Sequence, residues 1–467
     1  MELTAARRTA SPPAADTVSY GDVRATIGRH LLADGMPLVL DLDRSQGVRL
    51  VDGVTGRTYL DLFGFYASSA LGVSHPKMRS DPAFLDRLMD AALNKITNSD
   101  VYTPHMARLV RTFERVGIPA HLPYLFFIEG GALAVENALK TAFDWKVRRN
   151  FQKGYRREVG HQVLHFDQAF HGRSGYTLSL TNTADPRKTQ YFPKFDWPRI
   201  ENPYVEFPLE GDALERTLQR ERRALMQAKQ AFREHGDDLA CIIIEPIQSE
   251  GGDLHFRDEF LAALRDLAHE NDALLIFDEV QTGVGLTGTF WFHEQTGVKP
   301  DVLAFGKKTQ VCGILAGPKL DEVEGHVFQT SSRINSTWGG NLVDMVRFDR
   351  TLEIIEEDGL VAHAAKAGDH LLRGLHALAE RHPSVTQVRG RGLLCAFDLP
   401  NGGLRNRVLE ACYEEGAVVL GCGTHSVRFR PPLTVTEADL DEGIDLLDRV
   451  LTTVEAEDVD PNRKGRK

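Results

Sequence analysis

Cysteine is scarce. The 467-residue chain holds five (Cys241, Cys312, Cys395, Cys412, Cys422), scattered, odd in number and with no CxxC pair. That spacing gives neither a disulfide framework nor a zinc-ligand pattern, and it suits a reducing, cytoplasmic compartment. Long apolar runs are missing as well, since none approaches the roughly 18 residues that a membrane span needs. The N-terminus carries Glu2 and lacks the apolar stretch of a secretory signal. Excess positive charge is absent: the formal net charge is −11, which argues against general nucleic-acid affinity and favours a small-molecule ligand. No GxGxxG follows a first strand, so a dinucleotide fold lacks its signature. Internal repeats and long low-complexity segments are also lacking. What remains is an ordinary globular composition, 42% hydrophobic and 26% charged, in a chain long enough for two or three domains. Residues 1–16, rich in Ala, Pro and Thr without periodicity, are expected to be disordered, and the final NRKGRK to be a solvated basic tail.

The most informative stretch runs from 273 to 313. Its apolar run 273–277 is too short for a helix and is bounded by charge, so it reads as a buried strand of a parallel sheet. Asp278 then arrives at the strand's carboxyl end, the edge where ligands sit in open α/β sheets. A second run, Val302–Phe305, ends in Gly306 and Lys307, so two adjacent strands present a carboxylate and an amine to one crevice. That pairing suits pyridoxal phosphate, whose aldehyde needs a lysine for a Schiff base and whose ring nitrogen must stay protonated. A charge-assisted hydrogen bond from Asp278 would hold that proton. On these two residues alone, a helix-capping Asp and a strand-end Lys remain the commoner explanation.

Elsewhere the pattern alternates strands with helices. Residues 48–76 read as short strands with glycine turns, Asp52-Gly53 marking a hairpin, and Phe65 and Tyr66 are either cavity lining or core aromatics. Residues 124–129 read as a strand, Gly130-Gly131 as a tight turn and 132–147 as a helix with Leu133, Val135, Leu139 and Phe143 on its apolar positions. Strand, glycine turn and helix start make an anion site, because free backbone amides and the helix dipole point at one spot. Residues 161–166 are a further strand, followed by QAFHGRSG, in which His171 shows no partner and reads as structural. A helix over 213–234, a strand over 239–247 and a helix ending at Ala268 complete the approach to the central strand. Beyond a helix over 342–356 come strands within 385–397, 417–420 and 427–429. A last helix has Leu440, Ile444, Leu447, Leu451 and Val454 on one face. The repeated strand-helix-strand order predicts an α/β fold with a parallel, doubly wound sheet.

DEVQTGVGLTG followed by FGKKTQVCG resembles the signature of the class III, or omega, aminotransferases, fold type I enzymes that use pyridoxal 5'-phosphate. The resemblance extends from about Asp22 to Ala456 through at least six motifs in family order. It implies a mostly parallel central sheet with a smaller α+β domain: residues 1–75 contributing to the small domain, 76–340 binding the cofactor, 341–467 forming the rest. It further implies that Asp278 binds the ring nitrogen, Val280 packs beneath the ring, Gln281 contacts the ring hydroxyl and Lys307 is the Schiff-base lysine, with its neighbour Lys308 as the alternative. By the same resemblance Gly131 and Ala132 cradle the phosphate and Phe170 stacks on the exposed ring face. Thr337, in NSTWGG, touches the phosphate of the other subunit of a homodimer.

For the substrate, the resemblance assigns a distal carboxylate to Arg173 and the α-carboxylate of 2-oxoglutarate to Arg428, with Arg430 two residues on as the alternative. Glu250 would pair with the active-site arginine and release it. GGALAVENALK, FGKKTQVCG and INSTWGGNLVDM look like the lysine 6-aminotransferase branch. The implied reaction moves the ε-amino group of L-lysine to 2-oxoglutarate, giving 2-aminoadipate 6-semialdehyde and L-glutamate, with ornithine and 4-aminobutyrate as rival donors. A non-catalytic binding protein of the same fold would have lost Lys307 or Asp278, and both are present.

Overall fold

Seven strands build the main sheet, in the spatial order Tyr124–Ile128, Cys312–Ala316, Val302–Phe305, Leu274–Asp278, Leu239–Ile244, Gln162–Phe166 and Arg199–Ile200. The computed structural model describes residues 17–459, so the expectations for residues 1–16 and for the basic tail lie outside the described residues. All neighbours in this sheet run parallel except Cys312–Ala316, which is antiparallel to both of its partners. The four strands from Leu239–Ile244 to Cys312–Ala316 are buried at every position. Burial on both faces explains why they read as continuous apolar runs rather than as alternating ones.

Strand periodicity sends neighbouring side chains to opposite faces. Ile276 joins Val135, Leu139 and Trp145 of helix Gly131–Gln152. Leu275 and Phe277 join Phe260 and Leu264 of helix Asp258–Glu270 and Ala224 and Ala228 of helix Gly211–His235. The sheet is thus covered on both sides, and only its strand ends are open to a ligand. Leu133 is a correction to the expected apolar stripe, because in the first turn of its helix it is exposed rather than against the sheet.

A second, antiparallel sheet orders Thr386–Arg391, Leu394–Asp398, Ser426–Phe429 and Leu420–Cys422. A third joins Arg49–Val51 to Thr58–Asp61, and Thr58–Asp61 in turn pairs in parallel with Ala417–Val418. The expected strand 417–420 therefore divides between two sheets. Similarly, the expected strand 239–247 stops at Ile244, and Ile247–Gln248 forms a separate ribbon with Leu254–His255. Pro246 lies at the break, where its missing N–H cannot serve a ladder. The Asp52-Gly53 turn is wider than a two-residue hairpin: the Asp52 carboxylate accepts from the amides of Val54 and Thr55 and rounds the loop off itself.

The two main sheets are locked together through glycine. Helix Leu360–Arg381 crosses the turn at Gly392 so closely that a methyl group on Gly368 would lie 2.1 Å from the Gly392 carbonyl carbon. Gly392 itself, at φ +51°, presses on the backbone of Thr287. Alanine favours a helix interior over glycine by about 1 kcal/mol. Here the contact reverses that sign: Gly368→Ala lowers the urea midpoint of unfolding, and a raised midpoint would contradict this packing.

Candidate active site

A cavity of about 700 Å³ opens at the carboxyl ends of the parallel strands, and its wall includes Lys307, Asp278, Val280, Gln281, Phe170, Gly131 and Ala132. The register explains the convergence. Ala304 pairs with Asp278, so the turn that follows Phe305 brings Lys307 to the same strand edge as the carboxylate. Asp278 is buried, and it is held from two sides: His171 Nδ1–H donates to Oδ2 at 2.8 Å and the Val280 amide to Oδ1 at 3.1 Å. His171, expected to lack a partner, therefore has one in Asp278. The two residues lie far apart in sequence, and only the pairing of strands could reveal it.

Glu245 is a second buried carboxylate in the wall. Burial pushes its carboxyl well above the usual range, and nearby Asp278 pushes it further. It accepts from the amides of Phe170 at 2.8 Å and Ser249 at 3.2 Å, so it fixes the loop that carries the Phe170 ring. Lys307 responds to its surroundings in the opposite direction. Burial, and then the charge of Arg428, lower its ammonium to about 8. Lys308 points elsewhere: it is buried with Nζ donating to the carbonyls of Gln281 at 2.8 Å and Ala67 at 3.3 Å. It is absent from the cavity wall.

At the other end of the floor, Gly130 takes φ +93° and starts helix Gly131–Gln152, whose N-terminus no side chain caps. Free amides at a helix start are an anion cradle. Two buried polar atoms in the wall, His171 Nε2 and Gln281 Oε1, also have no partner. An uncapped helix start, an amine, a paired carboxylate, an unsatisfied amide and an aromatic ring fit a phosphorylated, aldehyde-bearing pyridine.

The arginines separate cleanly. Arg428 lines the cavity, where its Nη1 donates only to the Ser249 carbonyl at 3.3 Å and its buried Nε has no partner. Arg430 is committed elsewhere, in a fully buried ion pair with Asp253. Arg173 lines the cavity from an exposed position. Glu250 departs from expectation. Its carboxylate is not on Arg428 but accepts from Lys188 Nζ at 2.5 Å and from Thr183 Oγ1 at 2.8 Å. The nearer cation on the 183–188 loop captures it. Tyr66 lines the cavity, whereas Phe65 packs against Phe63 beside the small sheet. Thr337 is exposed and outside this cavity, on a segment held by Ser99 Oγ donating to the Ser336 carbonyl and by the Asn98 amide donating to the Trp338 carbonyl. Arg405 and Asn406 also line the wall, unmarked by any sequence pattern. Among the described residues no cluster of His, Cys, Asp and Glu could hold a metal ion, and no helix is long and apolar enough to cross a membrane.

The family model for class III aminotransferases matches residues 32–451. The chain belongs to this family. It is 54% identical to an L-lysine-epsilon aminotransferase of Amycolatopsis lactamdurans, over 96% of this chain and 98% of that protein. A solved lysine aminotransferase of M. tuberculosis, in its internal aldimine form, superimposes with a TM-score of 0.91 at 54% identity, covering 94% of this chain and all of that one. Human mitochondrial 4-aminobutyrate aminotransferase is 32% identical over 86% of this chain and 82% of its own length. As a class III aminotransferase the chain works with pyridoxal 5'-phosphate.

The Lys307 ammonium, at about 8 in the fold against an ordinary 10.5, gives a pH signature. The unfolded chain holds that proton more tightly, so the charged lysine opposes folding below about pH 8, and the opposition fades as pH rises from 8 towards 10.5. In the cofactor-free protein Lys307→Met raises the melting temperature at pH 7 and raises it less at pH 10. An equal shift at both pH values would place the amine in water.

Proposed function

We propose that this chain transfers the ε-amino group of L-lysine to 2-oxoglutarate, giving 2-aminoadipate 6-semialdehyde and L-glutamate. The observation that carries the reading is one cavity with Lys307 and Asp278 on its floor and with Arg173 and Arg428 among the cations of its wall. High identity to lysine aminotransferases over nearly the full length supports lysine as the donor, rather than 4-aminobutyrate or ornithine.

Pyridoxal phosphate, when bound, supplies a carbonyl carbon for amine exchange and a ring that withdraws electrons. Lys307 Nζ would hold that carbon, and Asp278 Oδ would keep the proton on the ring nitrogen. The His171 hydrogen bond fixes the carboxylate for that task. The uncapped amides at Gly131 and Ala132 would take the phosphate, while Phe170 and Val280 would flank the ring and Gln281 would reach its hydroxyl. An amine lowered to about 8 can both accept and return a proton near neutral pH, which suits Lys307 to take the proton from the amine-bearing carbon of the substrate and to give it back on the cofactor's side of the C–N bond. Arg428 would receive a carboxylate of 2-oxoglutarate, and Arg173 the distant one. A buried guanidinium without a full set of acceptors is a strong anion site.

The chain divides into residues 1–75, a cofactor domain 76–340 and a C-terminal domain 341–467. The pairing of Thr58–Asp61 with Ala417–Val418 supports grouping the first segment with the last. Thr337, exposed and outside its own cavity, would complete the phosphate site of a second subunit in a homodimer. Five free, buried cysteines support a cytoplasmic setting.

With L-lysine labelled with ¹⁵N at the ε position and 2-oxoglutarate, the label appears in glutamate. With α-labelled lysine it stays in the semialdehyde, read by NMR. Glutamate labelled from the α position, or faster turnover of 4-aminobutyrate than of lysine, would refute the assignment. Thr337→Ala weakens retention of pyridoxal phosphate by about tenfold, the worth of one charge-assisted hydrogen bond. Absorbance after dialysis measures that loss.

A further inference from the structure

The wall of the cavity contains one ion pair that the proposed reaction does not use. Lys188 closes a short turn, Pro186–Lys188, in the loop after helix Gly175–Leu180, and its Nζ lies 2.5 Å from Glu250 Oε1. The same ammonium sits 5.9 Å from the centre of the Phe170 ring. Thr183, at the start of the loop, donates to the same carboxylate oxygen. Both charges are partly shielded, with side-chain exposures of 31% and 24%. The Arg428 guanidinium bonds to the carbonyl of Ser249, the residue next to Glu250. Glu250 thus shares the cavity wall with two cations, Lys188 on the loop and the buried Arg428 bonded to the residue before it, and in this structure the loop has the carboxylate.

We propose that Lys188 is a positioning residue for the acceptor: by holding Glu250 on the loop it leaves Arg428 free for the carboxylate of an incoming dicarboxylate. This rests on the reading of the cavity as a transaminase site that accepts 2-oxoglutarate. Physically, a buried guanidinium whose Nε lacks a partner attracts any mobile carboxylate within reach. Glu250, on the adjoining residue, has the advantage of being tethered and is a standing competitor for substrate. Lys188 and Thr183 offer it an alternative seat, so the strength of that seat sets how much of the enzyme is open to a dicarboxylate. If only a fraction of the protein presents a free Arg428, apparent affinity falls by that fraction.

The test uses the holoenzyme and glutarate, a dicarboxylate of the acceptor's carbon length that lacks the ketone and cannot react. Calorimetric titration at constant ionic strength gives glutarate affinity for wild type, K188M, K188R and the double variant K188M/E250Q. Expected are a loss of about tenfold in K188M, equivalent to 1.4 kcal/mol, near wild-type affinity in K188R, and recovery in the double variant, where no charged competitor remains. A crystal structure of substrate-free K188M should show Glu250 within hydrogen-bond distance of Arg428. Unchanged affinity in K188M overturns the proposal. So does a double variant as weak as K188M, which would mean that Lys188 touches the ligand itself, or a Glu250 that stays on Thr183 in K188M. A wild type that neither binds glutarate nor consumes 2-oxoglutarate refutes the acceptor assignment, and with it this inference. Failure of the underlying reading is thereby separable from failure of the role given to Lys188.

Discussion

The whole site depends on a carboxylate placed where carboxylates are costly. Asp278 ends a strand whose every residue is buried, and an ionised group there is tolerated only if its oxygens are occupied. His171 and the Val280 amide occupy them. A second acid, Glu245, lies close enough for the two to repel, and burial drives Glu245 towards its neutral form. The floor of the cavity is thereby arranged around one acid fixed by hydrogen bonds and one discouraged from ionising. Opposite them, burial and Arg428 both discourage protonation of Lys307. Carboxylates and amines are thus sorted by environment rather than by residue type, which is how catalytic groups with separate tasks are built from a few side chains.

The two arginines of the Ser426–Phe429 strand and its exit show how small differences in position divide labour. Arg428, on the strand, faces the cavity and has capacity to spare. Arg430, past its end, is consumed by Asp253, and each is almost wholly enclosed. The second pair ties the ribbon loop after Ile247–Gln248 to the end of the Ser426–Phe429 strand in the four-stranded sheet. The same loop carries Ser249 and Glu250, so the anchor beneath it steadies the segment from which Glu250 reaches the cavity.

Much of this was legible in the sequence, and what was not has a physical cause. Short, purely apolar runs identified the buried parallel strands, because strands covered on both faces cannot alternate. The edge position of Asp278 and Lys307 followed from those runs alone. The doubly wound fold and the family were readable from DEVQ and FGKK in the right order, and the comparisons agree. Three features escaped because they are properties of pairing between distant segments. The partner of His171, the capture of Glu250 by Lys188 and the contribution of Arg405 and Asn406 to the wall all join stretches whose proximity no local pattern encodes. The split of residues 417–422 between two sheets escaped for a related reason, since hydrophobic periodicity reports that a strand exists but not which sheet receives it.

One consequence concerns synthesis rather than catalysis. The hairpin of Arg49–Val51 and Thr58–Asp61 is synthesised long before its parallel neighbour Ala417–Val418. Until then Thr58–Asp61 has an open edge, the kind of surface that recruits stray strands from other nascent molecules. Completion of this sheet has to wait for Ala417–Val418, which makes that late strand the clasp that closes it.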